Sequence, residues 1–324
     1  SILLSGFADE AANQKTLDQQ FSSLAALGMR YFSIRFIDAG SGIKNVVALS
    51  DSELEVVKAK MDEYGLLVSS IGSPIGKIKL CDVEDGTKTP FRPFASYLTD
   101  EVPRACELAN FFNCKLIRGF SFYHPKGASL DEHVNQATEQ VGQIAETCNQ
   151  HGLTYGLEVE ANLVGQNGEV LAVMHQEINH NALVLIFDGG NLVTMGYSAQ
   201  EVFEQYKLMK PGLGWLHIKD FLKPKTVKGE HVDEDALKHF VPADIGDSGH
   251  LEIFQDLVAF LPELESRMTA RGVPGVFLDL EPHVKGGGQF GGFSGPDGFG
   301  VALRARCRVC DTAGINYRLR DFTD

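Results

Sequence analysis

Residues 154–188 read TYGLEVEANLVGQNGEVLAVMHQEINHNALVLIFD and contain one complete unit of the pattern that decides the fold. Two apolar, β-rich runs, Thr154–Glu158 and Leu183–Asp188, flank a segment of helical period at Gly168–Ile178. Strands that alternate with helices pair in parallel through right-handed crossovers. The stretch therefore predicts a strand–helix–strand unit in which each strand ends in a carboxylate.

The same alternation occurs eight times along the chain. Eight such units close into a barrel, whereas a doubly wound sheet usually stops at about five or six strands. No linker rich in Pro, Gly or Ser interrupts the series, so we predict a single-domain (β/α)8 TIM barrel of the α/β class over residues 1–324. The predicted strands are Ile2–Phe7, Tyr31–Arg35, Leu66–Ile71, Leu116–Phe120, Thr154–Glu158, Leu183–Asp188, Trp215–Lys219 and Val276–Leu280. The predicted helices are Leu17–Leu27, Ser52–Tyr64, Phe94–Phe112, Asp131–Gln150, Gly168–Ile178, Ser198–Leu208, Leu251–Ala270 and Pro296–Ala313.

The composition excludes several classes of function. The chain has 29 basic and 43 acidic residues and a net charge of −14, which opposes binding to nucleic acid or to an anionic membrane surface. No apolar run reaches the roughly 18 residues of a membrane span, and the segment Ser1–Asp9 lacks the basic region of a signal peptide. The six cysteines are scattered, and Cys307 and Cys310 form a lone C-x-x-C, which predicts reduced thiols and a cytoplasmic protein rather than a zinc site.

Four consecutive predicted strands end in side chains that bind metal ions: Glu158, Asp188, His217 and Glu281. Neighbouring strands lie about 4.8 Å apart, so these side chains can converge on one point. Three carboxylates and one imidazole suit Mn²⁺, Mg²⁺, Co²⁺, Zn²⁺ or Fe²⁺. The alternative is that each acid caps the following helix. We predict that the chain binds one divalent metal ion, with Mn²⁺ as the first choice.

Three polar residues lie near this predicted centre. Arg118 ends the fourth strand and could grip a carboxylate or phosphate of a substrate, or form a salt bridge at the barrel mouth. Lys219 lies two residues past His217 on the same side of its strand, and could stabilise an oxyanion or pair with Glu160 or Asp220. Glu160, two residues past Glu158, is a candidate partner of the ligands and the main alternative to Glu158 itself.

Loop residues supply further candidates. His124 and His283 follow strands, where a histidine is either exposed or part of the site; His283 is a candidate catalytic residue and His124 a candidate substrate contact. Asp9 and Glu10 could reach substrate hydroxyls. The glycine-rich residues 286–295 could hold an anion with backbone amides, or form a lid or subunit contact.

The chain resembles the xylose isomerase-like TIM-barrel family, the group of sugar phosphate isomerases and epimerases. The matching strings, in family order, are GFADE at 6–10, SSIGSPIG at 69–76, LIRGFSFY at 116–123, FDGGN at 187–191, HIKD at 217–220 and LEPH at 280–283. The resemblance implies that Glu158, Asp188, His217 and Glu281 hold the metal, and that Glu158 and Glu281 move a proton next to a substrate carbonyl.

Two departures bear on the substrate. The family's ketose 3-epimerases carry a histidine where this chain has Asn191, a candidate substrate contact, and an arginine after the histidine ligand where this chain has lysines. The His-x-Lys-Asp string is more similar to the inosose dehydratase branch, and another branch cleaves 3-oxo-glycosides, including C-glycosides, by β-elimination.

These observations bear on four functions. We predict a metal-dependent isomerase or epimerase acting on a small sugar or keto-sugar. A lyase that dehydrates or eliminates from a keto-sugar, with a partner subunit or as a homo-oligomer, is the main alternative. Phosphodiester hydrolysis would need a cluster of about three zinc ions and many histidines, and a non-catalytic binding protein would need a vestigial metal site.

Overall fold

Eight parallel strands pair side by side in a nearly closed barrel, which confirms the predicted single-domain TIM barrel. The computed structural model describes residues 2–284 and 294–319. The strands in chain order are β1 (Ile2–Gly6), β2 (Tyr31–Ile34), β3 (Phe36–Asp38), β4 (Ile43–Asn45), β5 (Leu67–Gly72), β6 (Leu116–Gly119), β7 (Thr154–Glu158), β8 (Leu183–Asp188), β9 (Leu213–Ile218), β10 (Asp220–Phe221), β11 (Phe240–Val241), β12 (Val276–Leu280) and β13 (Tyr317–Arg318).

The order of the main sheet is β13-β1-β12-β9-β8-β7-β6-β5-β2. The seam between β1 and β2 is bridged at one point, where Phe7 pairs in parallel with Ser33. Beside the start of β1, the short strand β13 pairs with Ile2 and Leu3 on the edge that β12 leaves free. The start of β1 is thus paired on both edges by strands from the carboxyl-terminal part of the chain.

Helices cover the outside of the barrel. They are α1 (Leu17–Ala26), α2 (Asp51–Tyr64), α3 (Phe94–Phe111), α4 (Val134–Gln150), α5 (Gly168–Ile178), α6 (Gly189–Thr194), α7 (Ala199–Met209), α8 (His250–Thr269) and α9 (Gly295–Ala313). The exception is the short α6, which follows β8 at the barrel mouth. Reciprocal hydrogen bonds between Ser50 and Glu53, and between Ser198 and Glu201, fix the starts of α2 and α7. None of the helices in the described ranges combines the length and apolar character that crossing a bilayer requires.

The barrel strands are buried because helices cover one face and side chains fill the other. Every residue of β7, β8 and β9 is buried, which explains their nearly continuous apolar runs. Inside the barrel Trp215 lies so close to Gly156 that a Cβ there would stand 2.1 Å from the indole ring. Any side chain at position 156 would therefore displace the tryptophan, and glycine is required.

Four short elements were not predicted: the hairpin β3–β4, the hairpin β10–β11, helix α6 and strand β13. Strands of two or three residues are too short to show a periodic pattern. Helix α6 begins with two glycines, which are poor helix formers. The predicted helix Asp131–Gln150 starts only at Val134, because Leu130–Glu132 forms a separate 3-10 turn.

Candidate metal centre and active site

The side chains of Glu158, Asp188, His217 and Glu281 meet at the carboxyl-terminal mouth of the barrel. Glu158 and Asp188 end β7 and β8, His217 lies near the end of β9, and Glu281 directly follows β12. These strands are neighbours in the sheet. One potential ligand atom from each residue lies within 4.8 Å of the other three, and all four residues are buried. The structure therefore brings together the four predicted ligands.

The donor set fits a divalent cation. Carboxylate and imidazole donors bind such ions at roughly 2.0–2.2 Å, so donors on opposite sides of an ion lie about 4.4 Å apart. Glu158 Oε2 and Asp188 Oδ2 are buried and accept no hydrogen bond from any residue in the described ranges. Their nearest cations are Arg118 Nη1 at 3.5 Å and Lys219 Nζ at 3.2 Å. Oxygens of this kind are available to coordinate a metal.

His217 presents different nitrogens to the cluster and to the barrel interior. Its Nδ1 lies 3.1 Å from Glu158 Oε1 and 3.7 Å from Glu281 Oε2, whereas its Nε2 lies 3.7 Å from Asp279 Oδ2. A metal-binding histidine commonly turns its second nitrogen toward a carboxylate, which fixes the ring. Asp279 in turn accepts a hydrogen bond from Ser33. Nδ1 thus faces the cluster, and Nε2 faces the carboxylate of Asp279 without a hydrogen bond to it.

The three carboxylates of the cluster experience different environments. Burial raises the pKa of Asp188 to about 6; Lys219 opposes this shift, and Glu158 and Glu281 add to it. Burial also raises the pKa of Glu158, but His217 outweighs it by charge and by a hydrogen bond, and the pKa falls to about 2. Lys219 is the strongest of several cations that hold the pKa of Glu281 well below its usual range despite burial. Asp188 is thus the carboxylate that protein cations neutralise least.

Two buried cations contact Glu281. Arg35 Nη1 lies 2.5 Å from Glu281 Oε1, and Lys219 Nζ lies 3.0 Å from Glu281 Oε2. Arg35 also donates two hydrogen bonds to Asp9, of 2.9 and 3.1 Å. Lys219 forms its ion pairs with Asp188 and Glu281, and not with the predicted partners Glu160 or Asp220. Its place is therefore inside the cluster.

Two further predicted residues touch the cluster. Arg118 is buried at the end of β6, with its guanidinium over the rings of Phe7 and Phe120, and it faces Glu158. Asn191 Nδ2 lies 3.4 Å from Glu158 Oε1 and donates to the carbonyl of Val159 at 3.0 Å. Both side chains orient Glu158.

Three predicted residues lie farther out or make other contacts. Glu160 pairs with Lys77 Nζ at 2.7 Å and does not contact the four clustered residues. His124 hydrogen-bonds the carbonyl of Pro125 at 3.1 Å, away from the cluster. His283 bonds Glu10 through Nδ1, while its Nε2 lies 3.7 Å from Glu281 Oε1.

That Asp9 and Glu10 could reach substrate hydroxyls stays a prediction. Both are fully buried behind Arg35 and His283, and neither lines the cavity above the cluster. The predicted anion-binding string at 286–295 lies outside the described residues except for Ser294 and Gly295.

Two polar residues of the site were missed in the sequence. Arg35 directly follows β2, so the strand-end criterion that selected the four ligands would have found it. Asp279 lies inside the apolar run of β12, where an unexplained charge is itself a signal.

A cavity of about 1460 Å³ opens above the cluster. Its floor includes Glu158, Lys219 and Glu281, and its walls include Tyr123 and Phe240. Small-molecule pockets usually measure about 300–1,000 Å³. The site is thus deep, polar at its base and larger than usual.

The chain belongs to the xylose isomerase-like TIM barrel family, whose sequence model matches residues 21–301. No curated protein sequence matches it.

Several solved structures share the fold. A xylose isomerase-like TIM barrel protein from Mycobacterium smegmatis, in complex with magnesium, is 17% identical, with 96% of each chain covered and a TM-score of 0.61. The probable 3-DHS dehydratase AsbF from Bacillus anthracis is 14% identical, covering 95% of this chain and 98% of that one, with a TM-score of 0.62. D-allulose 3-epimerase from Methylomonas sp., in complex with D-allulose, is 14% identical, covering 95% and 96%, with a TM-score of 0.61.

Proposed function

We propose that this protein is a divalent-metal-dependent isomerase or epimerase that removes a proton next to the carbonyl of a sugar or keto-sugar. The carrying observation is the buried cluster of three carboxylates and one imidazole at the base of a large polar cavity. The magnesium in one relative and the D-allulose in another support this proposal. Mn²⁺ is our first choice of metal because carboxylate-rich donors suit Mn²⁺ and Mg²⁺.

Glu158, Asp188, His217 and Glu281 would hold the ion. When bound, a divalent cation supplies Lewis-acid stabilisation of negative charge that develops on substrate oxygens. Asp279, whose Oδ2 lies 3.7 Å from Nε2, would orient the His217 ring from the opposite side by its charge.

Glu158 is the better placed of the two candidate bases. Its Oε1 is held by His217 at 3.1 Å and by Asn191 at 3.4 Å, which leaves Oε2 without a hydrogen bond within the described structure. With one of its oxygens toward the metal, the other oxygen of Glu158 could accept a proton from the substrate. Arg118, close to Oε2, keeps it ionised and can bind a substrate oxygen.

Glu281 is the second candidate base in this reaction, and Lys219 is a candidate to stabilise the oxyanion. In an epimerase, one base removes the proton and the second returns a proton on the opposite face of the carbon. Glu281 lies across the cluster from Glu158, on the other side of β8 and β9 in the sheet. Its neighbour His283 can exchange protons with it.

A lyase is the second candidate, and the unequal state of the two glutamates favours it. Both oxygens of Glu281 are held by cations, one by Arg35 and the other by Lys219. An elimination needs one base, for which Glu158 suffices, and a proton donor for the leaving group, for which Lys219 is available. The structural likeness to a probable dehydratase agrees with this outcome.

Solvent deuterium separates the two candidates. The enzyme, loaded with Mn²⁺, is incubated in D₂O with ketoses and keto-sugars, and products are analysed by NMR and mass spectrometry. We expect an isomeric sugar that carries deuterium at the reacting carbon. An unsaturated or smaller product would establish the lyase instead, and the absence of both exchange and product with every sugar would contradict the proposal.

A further inference from the structure

A second group of polar side chains lines the cavity beyond the candidate metal centre. Lys77 Nζ contacts Glu160 Oε1 at 2.7 Å, and the ammonium also lies over the ring of Phe120, 4.5 Å from its centroid. Glu160 Oε2 is buried and accepts no hydrogen bond from the residues that the structure describes. Glu234 and Tyr123 line the same part of the cavity.

The loop that follows β10 brings Glu234 to this place. Asn162, after β7, accepts a hydrogen bond from the amide of Val232 and donates one to its carbonyl, both of 2.9 Å. The side-chain amide of Asn162 also donates a hydrogen bond to Glu234 Oε1 at 3.1 Å. Val232 itself is buried, so the loop is anchored by apolar contacts as well. Glu234 is therefore a fixed part of the cavity wall.

The charges of this group select what can bind there. One ammonium and two carboxylates surround the outer space, whereas the carboxylates at the base of the cavity are paired with Arg35, Arg118 and Lys219. A phosphate placed between Glu160 and Glu234 would meet two carboxylates and one ammonium, more negative than positive charge. Neutral hydroxyl groups, in contrast, can donate to the glutamate oxygens and accept from Lys77. Tyr123 adds an aromatic face that suits a ring.

We propose that Lys77, Glu160 and Glu234 form a second subsite that binds a neutral, hydroxyl-bearing group attached to the sugar, so that the substrate is a glycoside. The inference rests on the proposed function, because it places the sugar ring at the candidate metal centre. The cavity volume of about 1460 Å³ agrees with a two-part substrate, since it exceeds the usual upper range of about 1,000 Å³.

The test is equilibrium binding by calorimetry to the Mn²⁺-loaded chain. One matched set is D-fructose, the neutral disaccharide lactulose, in which fructose carries a galactosyl group, and D-fructose 6-phosphate, and a second pair is D-glucose and 4-hydroxyphenyl β-D-glucoside. In at least one set we expect the glycoside to bind about tenfold tighter than the monosaccharide, the gain of one or two hydrogen bonds to charged groups. The phosphate should bind no tighter than fructose.

Glu234→Gln should weaken the glycoside about tenfold and leave the monosaccharide within about twofold. Glu55→Gln, on the exposed side of α2 and outside the cavity lining, is the matched control and should change neither affinity. Monosaccharide binding without any advantage for a glycoside, or equal loss of both in Glu234→Gln, overturns the subsite alone. Binding of none of the sugars overturns the subsite and the proposed function together.

Discussion

The two halves of the barrel supply different groups to the same mouth, one the cluster of possible metal ligands and the other two guanidinium groups. The half made of β7, β8, β9 and β12 ends in the cluster Glu158, Asp188, His217 and Glu281. The half made of β1, β2, β5 and β6 supplies the guanidinium groups of Arg35 and Arg118. The acidic half has the oxygen and nitrogen donors that could bind a cation. The two guanidinium groups of the other half neutralise part of the negative charge of those donors.

The largest expected effect comes from Glu158 and Glu281, the proposed bases in the acidic half. Glu158→Gln keeps the size and an oxygen but removes the proton acceptor, so turnover should fall by about 10²–10⁴. In Glu281→Gln, turnover should fall by the same factor if the protein is an epimerase. It should fall much less if the protein is a lyase, because Glu281 is already held by two cations.

The measurement is solvent deuterium exchange into the substrate, with the exposed Glu169→Gln on α5 as the matched control. If Glu158→Gln and Glu281→Gln both exchange at the parent rate, neither carboxylate is the base.

Removing a cation tests the other half. Arg35→Met leaves Asp9 buried without its partner and Glu281 with one cation fewer. Breaking a buried pair in this way costs about 3–5 kcal/mol, and we expect that loss in the free energy of unfolding by urea denaturation. The double variant Arg35→Met with Asp9→Asn should recover part of it. A loss below about 1 kcal/mol in the single variant would show that Asp9 does not depend on Arg35.

His217 tests whether the acidic half binds the metal at all. His217→Ala removes the nitrogen donor of the cluster, and affinity for Mn²⁺ should fall by more than about a hundredfold, beyond the loss usual for residues that only support a ligand. Calorimetric titration of the metal-free protein measures it. His124→Ala, on a loop of the same cavity, is the control. Unchanged affinity in His217→Ala would place the metal elsewhere.

The smallest effect should come from the side of His217 that faces away from the metal. Asp279→Asn removes the carboxylate charge opposite Nε2 but keeps a similar shape. We expect affinity for Mn²⁺ to fall by about tenfold to a hundredfold. An affinity within about twofold of the parent value would show that Asp279 serves only the hydrogen bonds with Ser33.

Sequence patterns predicted the barrel and the cluster because both follow from strand periodicity. A continuous apolar run predicts a buried parallel strand. The first charged residue after the run predicts its carboxyl end, as at Glu158 and Asp188. The identities of the ion partners could not be predicted in the same way. Lys219 forms ion pairs with Asp188 and Glu281, which come from the ends of two different strands. Only the closed barrel brings these three side chains together.

The outer part of the cavity was the least predictable region. Glu234 and Lys77 come from irregular loops, whose course depends on single contacts such as the one between Asn162 and Val232. No periodic pattern encodes such a contact. The hairpins β3–β4 and β10–β11 were missed for the same reason.

The seam of the barrel has a consequence for the order of folding. Strand β1 forms its ladders with β12 and β13, so Ile2 pairs with Val276 and Tyr317, almost the full length of the described chain away. Contacts between residues this distant in sequence form slowly, because the loop that joins them must be closed first. We expect β1 to dock last, after the intervening strands have paired. Asp9 and Glu10 arrive with it, and they secure Arg35 and His283 on either side of Glu281. Late docking of β1 would therefore complete the hydrogen bonds around Glu281 in the same step that closes the barrel.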